Sequence, residues 1–345
     1  YDPAKDVLQV DRLQGAAAGS RIDASGQLTS PMLIFGRGNR YDFSRLSVKA
    51  PVVAWTTPHD KNWAAPKSGE ITGLNISARI FRNADRIVLE NISGNLDRGS
   101  FRISGEARRG AIGKAKRAYS VQAKGAVKGP VSVDSVLTFW PPPAAKGARE
   151  WLGQSLKSGD VTTASLDANI SAAAIADARV PDSSVNLRFS FENGALQPYP
   201  GSFLIEAARG SARLGGDSFR LTGSGRSGSV TMDSAIVEIA RISGEDRAPL
   251  VVKASAHGDV PGFARMFARD MEPAMASRLG GEGSVKFSLV RPQHTNVPWD
   301  EMTIAANGSF SGVRVDNAIG PLSLEGGKFD VVVDRNRLVA KGNGR

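Results

Sequence analysis

Residues Arg86 to Glu106 read RIVLENISGNLDRGSFRISGE. Ile87, Leu89 and Ile92 lead to Gly94, a polar turn follows, and Phe101 and Ile103 alternate with Arg102 and Ser104 up to Gly105. Two short alternating runs around a turn rich in Asn, Asp and Gly make a β-hairpin. The same frame stands seventy-nine residues earlier, as Leu8, Val10, Leu13 and Gly15 followed by Ile22, Ala24 and Gly26. A third copy runs Ile205, Ala208, Gly210, then Phe219, Leu221, Gly223; a looser fourth pairs Leu322, Leu324 and Gly327 with Leu338, Ala340 and Gly342. Recurrence of one hairpin unit points to a repeat architecture in which each unit stacks on the next.

Working outward, alternation continues through Val121 and Ala123, through Leu187, Phe189 and Phe191, and through Phe329, Val331 and Val333. Glycine is abundant, at 38 of 345 residues, and turn residues punctuate the chain at roughly 8–12-residue spacing, an all-β signature. Only two segments carry a helical period. Ala148, Trp151, Leu152 and Leu156 follow Pro141-Pro142-Pro143, with Gly159 placed as a stop, so that 141–160 reads as a connecting amphipathic helix. The second, near 261–279, presents Phe263, Met266 and Phe267 and is interrupted by Pro273. The expected layout is β-repeats over 1–140, the helix over 141–160, and β-repeats over 161–345 with that helical insertion.

These helices are too short to cover the apolar side of so many strands. That side is either sealed against a second sheet, in a sandwich or barrel, or left lining a groove in one curled antiparallel sheet. In the groove reading, an elongated, U-shaped all-β repeat, the lining is Phe101, Ile103, Leu187, Phe189, Phe191, Phe219, Leu221, Phe329, Val331 and Val333. Aliphatic linings suit acyl chains and suit a plain core equally.

Catalytic patterns are missing. The chain has no cysteine, which excludes disulfides and thiolate sites. His59, His257 and His294 stand far apart, outside any ligand or triad spacing. Gly223-Ser224-Gly225-Arg226-Ser227-Gly228 matches GxGxxG, but a dinucleotide site needs a helix next, and Val230 to Ile242 reads as strand. We read the chain as a non-enzyme with no cofactor and no metal.

The formal charge is +10, and Arg102 to Lys128 carries eight Lys/Arg against the single acid Glu106. Only Phe101 and Tyr119 accompany these cations, too few rings for single-strand stacking, so nucleic acid is not an expected partner. The stretch reads as a solvated outer face and, functionally, as one attracted to anionic lipid headgroups. No apolar run reaches membrane-spanning length. The start at Tyr1 and the strand-like end at Lys341 to Arg345 read as those of an internal fragment of a longer chain.

Phe139-Trp140-Pro141, Arg149-Glu150-Trp151-Leu152 and Ser158-Gly159-Asp160-Val161, with Tyr199-Pro200-Gly201 and Gly280-Gly281-Glu282-Gly283 beyond, resemble the AsmA-like envelope proteins of Gram-negative bacteria, in particular the YhdP type. The likeness covers roughly residues 130–290. It implies a U-shaped β-groove carrying phospholipid acyl chains across the periplasm toward the outer membrane. It also implies an inner-membrane anchor outside this fragment. It supplies no catalytic residues. The competing expectation is an envelope scaffold or chaperone that offers sheet edges to other envelope proteins during outer-membrane protein assembly.

Overall fold

A computed structural model of the chain describes all residues except 18–19, 35–40, 57–67, 113–115, 140–152, 154, 178, 198–202, 245, 268–272, 294–296, 299–300, 320, 335–336 and 345. It is an all-β protein built on one open, 17-stranded sheet. A sandwich or barrel is thereby set aside. Helix amounts to 12%, well below the third or so carried by ordinary globular chains.

Two compact units divide the chain. The first, Tyr1–Gln154 with Ser158–Phe191 and Arg213–Gly216, holds β1 (Val7–Ala17), β2 (Ser20–Thr29), β3 (Phe43–Thr56), β4 (Ser68–Phe81), β5 (Arg86–Leu96), β6 (Gly99–Ile112), β7 (Lys116–Ser132), most of β8 (Leu156–Ile170) and the start of β9 (Val185–Leu196). The second, Ser155–Lys157 with Glu192–Ala212 and Asp217–Arg345, holds most of β10 (Ile205–Gly215), then β11 (Phe219–Ser227), β12 (Val230–Ile239), β13 (Leu250–Asp259), β14 (Leu279–Arg291), β15 (Thr303–Ile319), β16 (Leu322–Asp334) and β17 (Arg337–Asn343). From β1 to β8, and again from β11 to β17, each strand pairs antiparallel with its successor.

The recurring hairpin has a structural cause. In β1, Val10 lies opposite Gly26 and Leu13 opposite Ala24; in β5, Leu89 lies opposite Gly105 and Ile92 opposite Ile103. Three residues on one strand span two on the other, which is a β-bulge in the same place in both copies. The extra residue would turn every later side chain to the wrong face. Spacing the apolar residues by three at that point, Val10 to Leu13 and Leu89 to Ile92, restores them to one face. The third and fourth copies do not share this register. Ser211 bonds Thr222 and Arg209 bonds Ser224, which sets Gly210 beside Gly223, and Leu338 faces Val333 rather than the Leu322 segment. Other bulges rest on glycine: Gly73 and Gly312, both at φ +59, sit at the register shifts of β4–β5 and β15–β16, a conformation costly for any residue with a Cβ.

Helices cluster at strand ends: α1 (Pro31–Ile34), α2 (Val133–Phe139), α3 (Ala172–Ala176), α4 (Val260–Phe267) and α5 (Pro273–Ala276). The expected insertion is present as α4 and α5. Three helices were not anticipated, although two begin at legible caps. The Ser132 hydroxyl accepts from the Ser135 amide, and that of Ser171 from the Ala174 amide. Most of the expected helix over 141–160, Trp151 included, falls outside the described residues. Its last residues contradict the expectation, since β8 begins at Leu156 and Gly159 lies within that strand. The register with β7 runs back to Asp160, opposite Ser132, and just before β8 the Gln197 amide donates to the Ser155 carbonyl.

α2 follows β7 yet also packs on β4, two strands away from β7's neighbour, so the first unit's sheet curves around it. The bulkiest sealed side chains lie at these ends: Leu137 of α2 and Val131 are each 1% exposed, Leu33 of α1 2%, and Val230 1% beside α4. Truncating Leu137 to alanine is therefore expected to cost about 2–5 kcal/mol, read by urea unfolding. Ile92→Ala, at a half-buried mid-strand position, is expected to cost less than half as much.

Candidate functional site

Directly opposed residues of paired strands share a face, so the register assembles side chains into rows that cross the sheet. In the first unit one row reads Val48, Ile76, Ile92, Ile103, Gly125, Leu166 and the next Leu46, Ala78, Leu89, Gly105, Ala123, Ala168. Phe101 continues the face beside Gly94, Val127 and Ala164. In the second unit, Leu221, Val237, Val252, Leu289 and Ile304 form one row, and Gly225, Met232, Ala256, Val285, Gly308, Val331 and Ala340 another. Between them run Ala235, Ala254, Phe287, Ala306 and Val333, and beyond them Gly283, Phe310 and Phe329.

The face therefore unites Phe101 with Ile103 in the first unit, and Phe219 and Leu221 with Phe329, Val331 and Val333 in the second. Leu187, Phe189 and Phe191 alternate along β9 with exposed Arg188. All ten of these side chains are half-buried; none is sealed. The register adds residues that alternation alone left out, above all Ile76, Ile92, Val252, Val285 and Leu289. Ser284 to Leu289 carries a strict alternation that would have found two of them, Val285 and Leu289. No charged residue interrupts these rows. On the second unit's face Arg291, opposite Leu250, appears at a strand end. At the other end of those strands α4 lies on the face, with the rings of Phe263 and Phe310 edge-on at 5.7 Å.

The opposite face is bound together by charge. Arg86 and Arg108 stand directly opposite one another on β5 and β6, an arrangement of like charges that destabilises a sheet. Glu106, two residues before Arg108, accepts from both, at 2.8 Å from Arg86. Arg79 meets Glu90 at 2.8 Å, Arg220 meets Glu238 at 2.6 Å, and Arg12 meets Asp23 at 3.2 Å. His257 falls on this polar face, as its alternation implies, and bonds Asp233. The strand after the GxGxxG sequence is β12, so the helix that a dinucleotide site requires is replaced by hydrogen-bonded sheet.

No protein-family model, curated protein or solved structure matches the chain.

The hydrogen bonds from Arg86 and then Arg108 hold the Glu106 carboxyl at about 2, below its ordinary 4.5. A depressed carboxyl stabilises the fold fully above its unfolded value and ceases to do so as the pH falls through its folded one. The Glu106 contribution should thus be complete above pH 4.5 and fade toward pH 2. Glu106→Gln should lower the urea midpoint at pH 7 and remove that part of the acid dependence, which unfolding titrations from pH 7 to pH 2 would read.

Proposed function

We propose that the apolar face carries phospholipid acyl chains, as part of a bridge that transfers lipid between the two membranes of a Gram-negative envelope. One observation carries this reading: rows of aliphatic and aromatic side chains, uninterrupted by charge, stay largely unsealed across the middle of the strands, with only small residues such as Ala50, Ala78 and Ala168 buried there. Adjacent strands lie about 4.8 Å apart, so a six-strand row extends over roughly 24 Å, against about 15 Å for one leaflet's hydrocarbon. Each methylene withdrawn from water contributes about 0.8 kcal/mol, and an even lining offers no deep well to hold a chain in place. The resemblance to AsmA-like proteins of the YhdP type supports the same reading and is the ground for proposing a periplasmic location and an inner-membrane tether outside this segment. No catalytic step is involved.

A second reading, an envelope scaffold that presents sheet to partner polypeptides, draws on the open sheet and on β1, where Leu8, Val10 and Leu13 are exposed by 38, 39 and 54%. The two differ in what occupies the apolar face.

Photo-crosslinking residues at Phe189 and Leu221 should capture lipid, and one at Arg188 should not; mass spectrometry of organic extracts from the purified protein would identify it. Leu221→Lys should leave the strands folded and reduce lipid recovered, because an unpaired charge facing acyl chains is costly. If Leu221→Lys unfolds the protein and no crosslinker captures lipid, the face is a sealed core and the scaffold reading replaces this one.

A further inference from the structure

On the polar face of the first unit most arginines have acidic partners, among them Arg79 with Glu90, and Arg86 and Arg108 with Glu106. Arg45, whose guanidinium lies over the Phe43 ring, and four further cations of the same face do not. Lys49, Arg102, Lys124 and Lys128 are exposed and make no ion pair or side-chain hydrogen bond among the described residues. The register collects them. Lys49 lies opposite Asn75, Asn75 opposite Ser93, Ser93 opposite Arg102, and Arg102 opposite Ala126. Lys124 and Lys128 stand two residues to either side of Ala126, diagonal to Arg102 at about 7–8 Å. The surrounding positions are neutral hydrogen-bonding side chains: Ser100 and Thr163 beside Lys128, Ser104 beside Lys124, and Ser165 beyond Ala126. Asp167, opposite Lys124, is the one acid in these rows, and the two are not within ion-pair distance.

Gathering like charges on a sheet costs stability unless something neutralises them. We infer that this patch docks the chain on the surface of an anionic phospholipid bilayer. A broad strand surface set with separated cations and hydroxyls matches a plane of phosphate-bearing headgroups. The rows contain no aromatic ring on which a nucleic-acid base could stack, and no helix projects there to enter a duplex groove. Each Lys or Arg close to such a membrane adds about a fivefold factor in affinity, and the attraction decays over roughly 8–10 Å of salt solution. The patch lies on the reverse of the apolar face, so this inference and the acyl-chain reading stand or fall separately.

Co-sedimentation with phosphatidylcholine vesicles containing phosphatidylglycerol, and with pure phosphatidylcholine vesicles, tests it. Binding is expected only to the anionic vesicles and should weaken with added salt. The combined variant Arg102→Gln, Lys124→Gln, Lys128→Gln should bind on the order of a hundredfold more weakly. A charge-matched control, Arg12→Gln, Arg21→Gln, Arg220→Gln, removes three cations that already have acidic partners and should bind within about threefold of the unaltered protein, since paired cations contribute little to the outward field. Circular dichroism reports the fold of each. Should the combined variant unfold, Arg102→Gln alone, expected to lose about fivefold, carries the test. The inference is overturned if the patch variants bind like the unaltered protein, or if the control loses as much affinity. Equal binding to uncharged vesicles, or tighter binding to a single-stranded oligonucleotide than to anionic vesicles, would overturn it as well.

Discussion

A strand sends successive side chains to opposite faces, so any residue added to one strand of a pair reverses everything after it. This chain adds such residues repeatedly, at the register shifts of β1–β2, β2–β3, β4–β5, β5–β6 and β7–β8 in the first unit alone. Its two faces nevertheless stay distinct, because the sequence changes its apolar spacing where the bulge falls. Val10 to Leu13 and Leu89 to Ile92 show this most directly. The bulges bend and twist the strands, and compensated spacing lets the bend occur without mixing aliphatic and charged side chains. The uncharged rows, the ion-paired face and the curvature around α2 all depend on that compensation.

A single sheet has only one layer with which to stabilise itself, and the burial here is distributed accordingly. Bulky sealed side chains such as Leu137, Val131, Leu33 and Val230 gather at strand ends near the helices, while in the middle of the apolar face the large side chains stay partly exposed and only small ones such as Ala50 and Ala78 are sealed. The polar face answers with cross-strand pairs, of which Glu106 between Arg86 and Arg108 is the most tightly held. Where that pairing lapses, at Arg102, Lys124 and Lys128, the absence of acids stands out against the rest of the face.

Much of the fold was legible in the residues themselves. Alternation at Phe101–Ile103, Phe219–Leu221 and Phe329–Val333 identified strands and the face each side chain takes, because a period of two is a local property. Alternation says nothing about which strands are neighbours. The rows that add Ile76, Val252 and Leu289 to the face come from register, a long-range property that no short window contains. The hairpin frame at Leu8 and Ile87 was a true repeat down to its bulge, whereas those at Ile205 and Leu322 shared composition without sharing register. Three short helices were missed for an energetic reason: pieces of four to seven residues have no stability alone and exist through the strand ends beneath them and, in two cases, a serine cap. Leu156 was assigned to a helical stripe by its spacing from Leu152, but it opens β8, whose register with β7 begins four residues on at Asp160.

The pairing of each strand with its successor bears on how the chain reaches this state. Almost all of its backbone bonds join segments a few tens of residues apart, so little loop entropy is spent before a contact forms. A hairpin such as β1–β2 has its partners in hand as soon as its second strand has left the ribosome, and each later strand finds a template already laid down. Folding can then proceed as growth from an existing front, without a single nucleus assembled from distant parts. An arrest of synthesis partway would leave the strands already made with a growing front still able to bond.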